Sequence, residues 1–80
     1  MAIVALRRMA KGQKGIIRRV TASGEIGRRI MDMGLVPGTP FLVQGRAPLK
    51  DPVEIRIRGF TLMLRNNESD FIEAEVEEVS

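Results

Sequence analysis

Val53-Glu54-Ile55-Arg56-Ile57-Arg58-Gly59-Phe60-Thr61-Leu62-Met63-Leu64 contains two runs of alternating side chains separated by a glycine. Val53, Ile55 and Ile57 alternate with Glu54, Arg56 and Arg58. Phe60, Leu62 and Leu64 alternate in the same way with Thr61, Met63 and Arg65. A period of two marks a strand with one buried face. A two-residue turn at Arg58-Gly59 pairs Ile57 with Phe60, Ile55 with Leu62 and Val53 with Leu64, so every apolar side chain falls on one face. The outer face then pairs Arg56 with Thr61 and Glu54 with Met63. A slip of one residue scatters the apolar set, so the register is specified.

Outward from this hairpin, a turn at Asn66-Asn67-Glu68-Ser69-Asp70 leads to a last strand with Ile72, Ala74 and Val76 inward and Glu73, Glu75 and Glu77 outward. On the other side, Ala47-Pro48-Leu49-Lys50-Asp51-Pro52 reads as a turn whose two prolines break a ladder. Before it, Phe41 and Val43 alternate with Leu42 and Gln44, as in another strand. The spacing of Ile26, Ile30 and Met33 predicts one short helix over about residues 25–33, capped by Thr21 or Ser23. Glu25 stands four residues before Arg29, the favourable order for a helical ion pair. Gly34 supplies a left-handed stop, Leu35 can complete the cap contact, and Pro37 prevents resumption. Lys14 to Val20 reads as the first strand, opened by Gly12 and Gly15. The expected fold is mostly β: one domain over residues 1–80, a small partly closed five-stranded barrel with one inserted helix.

Eighty residues, 44% of them hydrophobic, leave room for one compact core. Cysteine, histidine, tryptophan and tyrosine are absent. Zinc sites built on Cys or His, thiol chemistry and Ser-His hydrolysis are therefore excluded. Neighbouring acids such as Glu73 and Glu75 read as a solvated strand face rather than an acid/base pair. Carboxylate, Asn and Met ligands suit hard ions weakly, so no cofactor is expected and Fe(II) or another divalent ion has no selective ligand set. No apolar run approaches the ~20 residues of a membrane helix. The apolar-then-basic start reverses the order of a signal peptide, so a cytoplasmic location is expected.

The net charge of +3 is unevenly spread. Residues 1–65 hold all 13 Lys and Arg and four acids, a net +9; residues 66–80 hold six acids and no base, a net −6. Such a split serves either a polyanionic partner or facing strands of complementary charge. A nucleic-acid-binding small barrel of the KOW kind is thus an alternative function. It lacks stacking aromatics, because Phe41 and Phe60 belong to the core pattern and only Phe71 is free.

Three blocks carry a family resemblance. They are Ile30-Met-Asp-Met33-Gly34-Leu35-Val-Pro37-Gly38-Thr39 preceded by Arg28-Arg29, then Arg46-Ala47-Pro48-Leu49-x-Asp51-Pro52, then Arg58-Gly59-Phe60-Thr-Leu62-x-Leu64-Arg65. In this order and spacing the chain resembles the FeoA family from about Leu6 to Val76, with Phe60 where the family often has tyrosine. The resemblance implies an SH3-like barrel and a non-enzymatic accessory role in bacterial ferrous iron transport. It implies contact with the FeoB transporter, through its cytoplasmic GTP-binding region, with no nucleic acid and no membrane insertion. A transition-metal-ion sensor for the same pathway is a second alternative. A barrel without pocket chemistry acts through an exposed patch of apolar residues beside arginine. The candidates are Arg28 and Met31 on the outer helix face, Leu35 after it (unless it serves the cap alone), and Arg56 and Met63 on the outer hairpin face.

Overall fold

The computed structural model describes residues 2–46 and 52–76. The expected turn over 47–52, except for Pro52, and the outward Glu77 lie outside them. Strands β1 (Ala2–Ala5), β2 (Lys14–Val20), β3 (Pro40–Arg46), β4 (Val53–Ile57), β5 (Phe60–Leu64) and β6 (Ile72–Val76) form one antiparallel sheet in the order β1-β6-β2-β3-β4-β5. Helix α1 (Gly24–Asp32) follows β2, and a one-turn helix α2 (Asn66–Ser69) precedes β6.

The hairpin has the register its alternation demands: Ile57 faces Phe60, Ile55 faces Leu62 and Val53 faces Leu64. Both turn residues have positive φ, Arg58 at 45° and Gly59 at 89°, the geometry of a primed two-residue turn. Val53, Ile55, Ile57 and Leu64 are buried, but the ladder runs past the edge of the core. Phe60 at the tip is 47% exposed, so it is not the core residue that strict alternation assigns. Ile72, Ala74 and Val76 are buried as expected.

In β2 the pairing shifts between Ile17 and Arg19, a bulge that leaves Arg18 and Arg19 both exposed. Ile17 is buried while its neighbour Ile16 is exposed. Gly15 faces Phe41 across the ladder, and a Cβ there would stand 3.0 Å from the ring. The ring occupies that space.

The sixth strand, β1, was not expected. Its run Ala-Ile-Val-Ala has no alternation to read, and it forms by pairing with β6, Ile3 opposite Glu75 and Val4 opposite Ala74. The Asn66–Ser69 segment is a helical turn rather than an open one because the Glu68 carboxylate accepts the Arg65 backbone N–H at 3.0 Å.

Helix α1 buries only Gly27 and Ile30. Of the expected stripe, Ile26 is exposed and Met33 half-buried. Ser23 occupies the N-cap position without a side-chain cap bond; the Thr21 hydroxyl instead donates to the Phe71 carbonyl. The C-terminal end is a Schellman motif: Leu35 N–H donates to Ile30 O at 3.3 Å and Gly34 N–H to Met31 O at 2.9 Å, with Gly34 at φ 93°. At the other end Gly27 lies so close to the chain that a Cβ would come within 2.5 Å of the Ala22 carbonyl oxygen.

Two outcomes follow from this backbone. Gly27→Ala meets main chain rather than a movable side chain, so it should lower unfolding stability by about 1–3 kcal/mol despite its better helix propensity. Arg58→Asn relieves a left-handed arginine and should raise stability by about 0.5–1 kcal/mol. Urea titrations of both variants test them.

Candidate functional site

The end of β2, the turn after it and the outer face of α1 enclose an open groove of about 460 Å³. Val20, Ala22, Gly24, Gly27, Arg28, Met31 and Asp32 line it. Gly24, Gly27, Arg28 and Met31 recur at helical spacing, so they share one face. Gly27 gives that face a floor without a side chain. Met31 is 50% exposed beside the groove, and Arg28 and Asp32 bring one charge of each sign.

The other expected contact residues stand on the hairpin. Arg56 faces Thr61 and Glu54 faces Met63, so Arg56 and Met63 are diagonal neighbours on the outward side of β4 and β5. Met63 is 60% exposed. Gln44, displaced by a bulge in β3, reaches across to this face and accepts a hydrogen bond from the Thr61 hydroxyl at 3.1 Å.

Leu35 is a correction. It is fully buried as the hydrophobic partner of Ile30 in the helix stop, so it presents nothing to a partner. The structure thus places Arg28 and Met31 in the groove, Arg56 and Met63 on the hairpin face, and Leu35 in the core. Sequence reasoning missed Val20, Ala22, Gly24 and Gly27 as groove residues. The i, i+3, i+4, i+7 spacing of Gly24, Gly27, Arg28 and Met31 was the available signal.

Much of the charge split is neutralised internally. Asp70 pairs with Arg7 at 3.1 Å, Glu73 with Arg19 at 3.6 Å and Glu68 with Arg29 at 3.9 Å. The expected Glu25–Arg29 pair gives way to the last of these, because buried Glu68 faces Arg29 from α2. Each exposed pair contributes about 0–1 kcal/mol, so their role is to place charge rather than to hold the fold.

Arg46 does hold it. Its Nε donates to Met9 O at 2.7 Å, and one terminal nitrogen donates to Leu6 O at 2.9 Å and to Arg7 O. These carbonyls border the 3-10 turn at Leu6–Arg8, where a cation meets the negative end of the turn. Burial, and after it the positive charge of Arg7, lower the Arg46 pKa from the usual arginine value. Among the described residues no group of three or more Asp or Glu stands together to hold a metal ion.

A small antiparallel β-sheet domain with one helix inserted after its second strand is the class this architecture defines. The chain belongs to the FeoA domain family, whose model matches residues 4–76. It is 37% identical over 71 residues, 89% of its own length, to an Fe(2+) transport protein A/Fe(2+) transporter FeoB fusion protein of Porphyromonas gingivalis. It spans only 8% of that relative. The FeoA-like protein of Clostridium acetobutylicum superposes with a TM-score of 0.89 at 32% identity, covering 100% of this chain and 93% of that one. Stenotrophomonas maltophilia FeoA, a prokaryotic SH3-domain protein solved with zinc, shares the fold with a TM-score of 0.78 at 18% identity, over 90% of this chain and 89% of that one. The domain is SH3-like.

Arg46→Lys keeps the charge but loses the fork that spans three carbonyls, and it should cost about 1–3 kcal/mol. At this size that lowers Tm by roughly 4–8 °C per kcal/mol, which calorimetry reads directly.

Proposed function

We propose that this chain is a non-enzymatic, cytoplasmic accessory protein of bacterial ferrous iron uptake. It acts by contact with the FeoB transporter, through that protein's cytoplasmic GTP-binding region. The observation that carries this is the Porphyromonas gingivalis relative, in which a segment 37% identical to this chain lies in one polypeptide named for both FeoA and FeoB. Fusion of two functions in one chain is what proteins that work in contact would tolerate.

The surface supports the same reading. The groove offers apolar wall from Val20, Ala22 and Met31, with Arg28 at its side, the composition from which protein interfaces draw their central contacts. Its charged side chains, Arg28 and Asp32, offer a partner one charge of each sign. Iron in this reading is the transporter's cargo, and the chain's part is to touch the transporter.

The test is retention of the separated cytoplasmic region of FeoB on immobilised full-length chain, with and without guanine nucleotide. The native chain should retain it, and Met31→Asp, which puts a desolvated charge into the groove, should weaken retention about tenfold or more while the fold survives. Leu35→Asp should instead unfold the domain, because its position is fully buried. No retention by the native chain overturns the proposal; undiminished retention by Met31→Asp moves the contact out of the groove.

A further inference from the structure

We propose that the free edge of β5 is a strand-docking site, which takes an extended segment of a protein partner, apolar and acidic by turns, as an added strand of the sheet. The inference rests on the contact reading above only in making the occupant a protein.

β5 is the last strand in the sheet order, and no described strand lies beyond it. The two-residue turn makes Ile57 and Phe60 the closing hydrogen-bonded pair of the hairpin. Antiparallel pairs alternate from there. Phe60, Leu62 and Leu64 therefore spend their backbone groups on β4, while Thr61 and Met63 turn theirs outward. That leaves two N–H and two C=O groups at the spacing a further antiparallel strand requires.

Natural sheets guard such edges with proline, with charges or with bulges. Phe60-Thr-Leu-Met-Leu64 has no proline and no charge, and its ladder to β4 has no register shift. Phe60 and Met63 are among the most exposed large apolar side chains described, one on each face of this strand. An added strand would cover both. The opposite edge, β1, is shorter and offers only Ile3 among small side chains.

Charge selects the occupant. Arg58 and Arg65 bracket β5 and Arg56 stands beside it on β4; all three are exposed, and none is among the ion pairs of the described residues. A second copy paired antiparallel about Leu62 would bring Arg58 and Arg65 of opposing copies together at both ends, a like-charge arrangement that opposes self-pairing. A strand carrying acids at those positions gains there instead. Its apolar residues would meet Phe60 and Leu62 on one face, and its acids would lie on the other face, with Met63, Arg56 and Arg65.

The experiment titrates the isotope-labelled full chain with a blocked peptide of alternating glutamate and valine, and with its lysine–valine counterpart. Amide hydrogen exchange should slow at Thr61 and Met63 with the acidic peptide alone. Met63→Pro removes an outward N–H without touching the β4 ladder, and Met63→Lys guards the edge with charge. Each should weaken peptide binding about five- to tenfold, and the lysine variant carries the test if the proline variant does not fold. Equal binding of the lysine–valine peptide, protection elsewhere, native-like binding by Met63→Lys, or dimerisation of the chain through β5 would overturn the proposal. Retention of the FeoB region unchanged by Met63→Lys removes this edge from that contact and leaves the contact itself standing. Failure of the native chain to retain FeoB leaves the peptide result intact.

Discussion

Ile30 is the one fully buried side chain of α1, and the domain depends on it. The sheet has an apolar face, and the helix helps to cover it through that single side chain together with the close approach of Gly27 to the Ala22 carbonyl. Leu35 locks the arrangement by bonding back to the Ile30 carbonyl and joining it in the core. Thr39, also buried, donates its hydroxyl to the Gly34 carbonyl at 3.3 Å and ties the helix stop to the start of β3. Because so little of the helix is spent on the core, the rest of its surface stays exposed. Gly27 lets the helix approach the Ala22 main chain at the floor of the groove beside Met31.

The charge pattern serves the same division. Acids of the last third of the chain meet arginines from the 3-10 turn, β2 and α1, which joins distant segments without deep burial. Arg46 is different, since its planar fork gathers the backbone carbonyls of Leu6, Arg7 and Met9, and Leu6 O accepts from the Met9 N–H as well. Of the arginines left over, Arg56, Arg58 and Arg65 stand on or beside the hairpin. A basic surface of this kind fits an acidic protein segment, and the half-exposed Phe60 at the tip gives that segment an apolar neighbour.

The hairpin register, the β2 boundaries, the helix and its stop were all legible, because each depends on a local rule: alternation, a left-handed turn, a glycine after an apolar stripe. What escaped depends on neighbours distant in the chain. β1 becomes a strand only because β6 returns to pair with it, and its Ala-rich run has no face to show beforehand. Phe60 alternates correctly yet stands beyond the core, since a pattern gives the face of a residue and not how far the strand projects. Leu35 could serve either the cap or a partner on sequence alone, and only the packing against Ile30 decides it. Of the site, the side chains Arg28, Met31, Arg56 and Met63 could be named in advance. The spacing of Gly24, Gly27, Arg28 and Met31 marks a shared helix face, but that Val20 and Ala22 stand opposite it depends on how α1 packs after β2.

We propose that this domain works by presenting the α1 groove and the β5 edge to a protein. Amide hydrogen exchange of the intact chain, alone and with the cytoplasmic region of FeoB, tests it most directly. Slowed exchange confined to Gly27–Met31 and to Thr61 and Met63 is the predicted result. Exchange unchanged at those amides, or slowed only around Arg7–Lys11, would contradict it.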